Sequence, residues 1–174
     1  MGIEPDLKDW TWVLERPCPE CGFVGSSVDR DELGAMIREN AVAWVAVLGG
    51  RDVATRKRED RWSTLEYACH VRDVFRIYDE RLALMRAEDD PLFANWDQDA
   101  SAVEDDYAGQ DPAIVATELV MAANRLADAF ESVTEAEWAR PGRRSDGAAF
   151  TIDSFGRYFV HDPIHHLGDV GARP

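Results

Sequence analysis

Between residues 111 and 133, apolar side chains return at spacings of three and four: Val115, Leu119, Ala122, Leu126, Phe130 and Val133. An α-helix, with 3.6 residues per turn, gathers such a set onto one face, which must then be buried. Asp111-Pro112 supplies an N-cap with proline at the first helical position. Three further stretches follow the same rule. The first opens at Asp29 with Glu32, carries Leu33, Met36, Ile37, Ala41, Trp44, Val47 and Leu48, and stops at Gly49-Gly50. The second opens with the capping box Ser63 and Glu66 and carries Tyr67, His70, Val71, Val74, Ile77, Tyr78, Leu82 and Met85. The last begins near Thr151 and uses Ile152, Phe155 and Phe159. No alternating β pattern and no repeat is evident. The expected fold is therefore all-α: a four-helix bundle over residues 29–174, preceded by an irregular arm over residues 1–28. A long polar connection, Glu88 to Gln110, joins helices two and three, and residues 140–147 read as a loop.

Charge removes several function classes. Lys+Arg 19 against Asp+Glu 34 gives −15, which repels phosphate backbones and anionic headgroups. No apolar run is long enough to span a bilayer, and MGIEPDLKDW lacks the basic and apolar regions of a secretory signal. These features lead us to expect a cytoplasmic protein acting on a small molecule, without nucleic acid or membrane partners. Lys8 and Lys57 are the only lysines among 19 basic residues, leaving seventeen arginines, a bias typical of a GC-rich genome.

The four histidines are placed where a metal could be held. His70 lies on the core-facing stripe of the second helix, and His161 and His165 are four apart on the last. Residues i and i+4 stack on one helix face, so two imidazoles reach one ion and a third from a facing helix completes the set. Three protein ligands leave positions for water or substrate, the arrangement of catalytic rather than structural zinc. The competing reading is a hydrogen-bonded core histidine. Pro163, between the pair, loses an N–H bond and either kinks the helix or starts a new one at Asp162-Pro163.

At Tyr67-Ala68-Cys69-His70 and His161-Asp162-Pro163-Ile164-His165-His166, the chain resembles the DinB-like metal-binding bundle superfamily over roughly residues 30–170. The resemblance implies one divalent ion, zinc or nickel, on His70, His161 and His165, with His166 outside the set. It also implies thiol chemistry as one option, since relatives include maleylpyruvate isomerase and S-transferases that use mycothiol or bacillithiol. The favoured expectation is an enzyme that activates a low-molecular-weight thiol. Mycothiol is the candidate cosubstrate for an arginine-rich chain. A metal-dependent hydrolase and a non-enzymatic metal-binding stress or interaction protein are the rivals. Such relatives are often homodimers, and the arm's Trp10 and Trp12, if exposed, would suit that contact.

Other residues join with less support. Asp73 and Asp169 have the spacing to receive an imidazole N–H from His70 and His165, although exposed carboxylates are the alternative in so acidic a chain. Cys18-Pro19-Glu20-Cys21-Gly22 is half of a zinc site or a redox pair. Cys69 or His166 would complete it only if the arm folded back across helices two and four. Cys69 itself reads as a small core residue. Asn95, Trp96 and Asp97 are candidates for the mouth of a pocket, and Arg143 and Arg144 for a substrate carboxylate. Calcium is excluded at Asp97-Gln98-Asp99, where Ala102 and Ala108 replace the required glycine and glutamate.

Overall fold

The computed structural model describes residues 10–172. Helix α1 spans Leu33–Leu48, α2 Thr64–Ala87, α3 Gln98–Glu104, α4 Pro112–Glu131, α5 Ile152–Phe159 and α6 His161–Asp169. The helix starts follow the sequence signals. Ser63 and Glu66 form the reciprocal capping box of α2. Asp111 accepts from Ala113 N and Ile114 N with Pro112 at the first turn. Thr151 and Ser154 cap α5. Helix α4 packs against both α1 and α2, and α5 with α6 fills the fourth place in the bundle. Trp44, Phe75, Phe130, Phe155 and Phe159 are fully buried between these helices. Among the described residues, no helix is long and apolar enough to cross a membrane.

The last helix breaks in two. Pro163 has no N–H for the Phe159 carbonyl, so the α-helical ladder lapses and a new helix starts at His161. The proline's own carbonyl is used instead, accepting from Trp44 Nε1 at 3.2 Å. The break therefore has a fixed seat in the core.

Two stretches read as loops are more ordered than the sequence indicated. The 88–110 connection contains α3, capped by Asp97 through Asp99 N and Ala100 N, and buries Phe93 and Tyr107. Residues 140–151 form an antiparallel hairpin, β1 Pro141–Arg143 and β2 Ala149–Thr151, with Gly142 opposite Phe150. Three-residue strands are too short to show alternation. A Cβ at Gly142 would lie 2.7 Å from Phe93 Cζ and 2.8 Å from Met85 Cγ, so only glycine lets the hairpin reach α2.

Candidate metal centres

Helix α2 points His70 into the bundle, where it is wholly buried. Trp96 stacks on its ring, with centroids 5.4 Å apart and planes 9° apart. His70 Nε2 is 3.3 Å from Asp162 Oδ1. Four residues beyond Asp162, one helical turn, His166 brings its ring centroid to 5.0 Å from that of His70. His166 Nδ1 donates to Asp169 Oδ2 at 2.8 Å, which leaves Nε2 facing Asp162 Oδ1 at 3.8 Å. One ligand atom from each of His70, Asp162 and His166 lies within 4.8 Å of the others. Burial would push the Asp162 carboxyl up, but the two facing imidazoles hold it well below the usual carboxylate range.

The other pair on α6 faces a different set of partners. His161 and His165 meet Cys18 and Cys21, with all four ligand atoms within 4.8 Å of one another. Cys18 Sγ is 3.7 Å from His165 Nδ1. Burial first, and then His165, pushes His161 down to about 4, so its imidazole is neutral at physiological pH. Burial pushes the Cys21 thiol up to about 11. Trp10 lies 5.1 Å from the His161 ring and 5.0 Å from the His165 ring. It is thus half-buried against α6 rather than exposed as the sequence reading supposed.

A cavity of about 280 Å³ opens beside both clusters, walled by Tyr78, Arg81, Trp96, Arg144, Tyr158 and Asp162, among others. Arg144 donates to Tyr158 Oη at 2.6 Å and grips Asp146. Arg81 is held by the Ala94 carbonyl at 3.2 Å and by the faces of Tyr78 and Phe93. Burial lowers its pKa, and no described carboxylate lies within salt-bridge distance of it.

The structure sorts the candidate residues of the sequence into new groups. His70 and the His161–His165 pair fall into separate clusters, and His70 is joined by Asp162 and His166. The i,i+4 spacing occurs twice in this hexapeptide, at 161/165 and 162/166. A search confined to histidine pairs finds the first and misses the second. Asp169 backs an imidazole, that of His166, and is only 3.9 Å from His165 Nε2. Asp73 contacts no histidine: it takes Arg72, Arg76 and the Tyr107 hydroxyl. Asp97 is a helix cap. Arg143 pairs with Asp90 outside the cavity wall, whereas Arg144 lines it. Arg81 and Tyr158 carried no sequence signal beyond their residue types.

A family model, that of the DinB superfamily, matches residues 35–170. YfiT from Bacillus subtilis, described as "a probable metal-dependent hydrolase with an unusual four-helix bundle topology", superposes with a TM-score of 0.73 at 19% identity. The alignment covers 82% of this chain and 86% of that one. A comparison with curated proteins gives no match.

Proposed function

Because the chain belongs to the DinB superfamily, we propose that it is a divalent-metal-dependent enzyme, with His70, Asp162 and His166 as the ligands of the reactive ion. Its substrates are a low-molecular-weight thiol and a small anionic electrophile. The observation that carries this reading is the 2.8 Å bond from His166 Nδ1 to Asp169. A carboxylate behind an imidazole fixes its tautomer and aims the other nitrogen, the usual support of a metal-bound histidine. His70 Nε2 and Asp162 Oδ1 face the same point. Two imidazole nitrogens and a carboxylate oxygen suit zinc or nickel. Bound there, a divalent ion supplies Lewis acidity, which acidifies a nucleophile or polarises an electrophile.

The chain's own residues supply the rest. Asp169 holds His166 in register, and Trp96 covers His70 and excludes water from that side. Arg81, charged and without a described carboxylate partner, offers the substrate an anion site. Arg144 is pinned by Asp146 and Tyr158, which gives the cavity a rigid second cationic wall.

Both acids of that wall are committed, Asp162 to the donor set and Asp146 to Arg144. No described carboxylate of the wall is left to take a proton from attacking water. A thiol, with an ordinary pKa near 8.5, needs far less help than water. This supports thiol transfer. The second reading is hydrolysis, favoured by the donor types, since two histidines and a carboxylate also serve hydrolytic zinc sites.

The test is a metal-loaded assay with a carboxylate-bearing electrophile and mycothiol, bacillithiol or glutathione. Saturable thiol conjugation, lost in Asp162→Asn and His166→Ala, is the expected result. Arg81→Gln should raise KM for the anionic electrophile and leave a neutral one unaffected. Ester or amide cleavage without thiol would select the hydrolase. Catalysis unchanged in Asp162→Asn and His166→Ala would overturn the reactive site itself.

A further inference from the structure

We infer that Cys18, Cys21, His161 and His165 form a closed zinc site of structural type, distinct from the reactive cluster, that fastens the N-terminal arm to α6. The donor set is the first support. Cys-x-x-Cys from the arm and His-x-x-x-His from a helix have the spacings of structural Cys2His2 zinc. Their ligand atoms lie within 4.8 Å of one another, and Cys18 Sγ is 3.7 Å from His165 Nδ1. Tetrahedral zinc, with bonds of about 2.3 Å to sulfur and 2.0–2.1 Å to nitrogen, sets donors roughly 3.3–3.8 Å apart. A contraction of about an ångström at the widest pair closes the site.

The local backbone is already shaped for it. Cys18 N donates to Phe23 O and Gly22 N to Cys18 O, both at 2.8 Å, which curls the turn so that both sulfurs face one side. Gly22, at φ +79°, allows the chain to leave that turn.

An unpaired atom points to a ligand. His161 is 3% exposed, and its Nε2 is buried with no hydrogen-bond partner. A buried polar atom left without a partner is costly, and a metal bond to that ring would give its burial a purpose. All four positions of a tetrahedron are filled by protein, so no place remains for substrate, and thiolates select zinc over magnesium or calcium. Two thiolates also neutralise the ion, so a buried complex carries no net charge.

The consequence reaches the cavity. Trp10 and Phe23 of the arm lie against His161, at 5.1 and 5.3 Å between ring centroids, and Trp10 lines the cavity. Fastening the arm fixes one wall of the reactive pocket. It also holds α6, whose Asp162 and His166, each one residue beyond a proposed zinc ligand, belong to the other cluster.

The test replaces zinc with cobalt(II) in the full chain. A tetrahedral visible spectrum with thiolate-to-cobalt charge transfer in the near ultraviolet is expected. The band should disappear in Cys18→Ser and in His165→Ala but persist in His70→Ala, since the reactive cluster contains no sulfur. In the unaltered protein, alkylation read by mass spectrometry should find Cys18 and Cys21 protected with zinc and reactive after chelation, so the outcome does not depend on any variant folding. Charge transfer that is absent from the unaltered protein, or that survives His161→Ala/His165→Ala, would overturn the site. So would a Cys18–Cys21 disulfide in protein purified under reducing conditions. Conjugation activity can fail independently of any of these readouts.

Discussion

Asp73 shows how much a single buried carboxylate depends on its partners. Burial would raise its pKa, but bonds from Arg72 and the Tyr107 hydroxyl, with Arg76 nearby, hold it below the ordinary value. A lowered carboxylate pKa contributes stability above the unfolded value of about 4, lost as pH falls through the folded one. Asp73→Asn, which leaves Arg72 with Glu118 as its remaining carboxylate, should cost about 1–3 kcal/mol at pH 7. Urea unfolding across pH should show the gap between variant and unaltered protein closing below about pH 4. A gap that widens in acid would contradict the assignment. Asp169 stands in a different relation to the chemistry. Asp169→Asn should weaken metal binding at His70, Asp162 and His166 by roughly 10- to 100-fold with little change in helix content, as read by chelator competition and circular dichroism. Helical spacing offered both acids to an imidazole. Only the packed structure distinguishes them, because Arg72, Arg76 and Tyr107 claim one and His166 the other.

At the scale of elements, the bundle helices were legible because each carries its own start signal and an apolar stripe long enough to count. The hairpin and α3 were not, being too short for a period to register. The hairpin's position is set by contact rather than by pattern: Gly142 abuts Phe93 and Met85, both fully buried. Gly142→Ala should therefore cost about 1–3 kcal/mol by overpacking. A thermal shift below a degree would show that the hairpin yields freely. The break before α6 was half legible. Pro163 forbids an unbroken ladder, but proline alone does not say which residues the second piece will turn inward. The break delivers two i,i+4 pairs from one short helix, one toward the arm and the other toward α2. Fold and site diverge here: the sequence offered His70, His161 and His165 as one set, whereas their grouping in the structure depends on where residues 10–28 come to rest.

For the whole molecule, the proposed occupation of two adjacent clusters on α6 would make metal content a determinant of stability. Binding to the folded state alone stabilises by about 4 kcal/mol when the free ion is a thousandfold above its Kd. For a chain of this size each kcal/mol is worth roughly 2–4 °C. Exhaustive chelation should therefore lower Tm by roughly 10 °C for each ion removed, with recovery on adding zinc. The same scan on Cys18→Ser/Cys21→Ser should show a smaller, partial response from the remaining site. The most direct measurement is an anomalous-scattering crystal structure of the metal-loaded protein. A peak should lie about 2.0–2.2 Å from His70 Nε2, Asp162 and His166 Nε2. A single ion shared by His70, His161 and His165, with Asp162 and His166 turned away from it, would contradict the division of α6 between two centres.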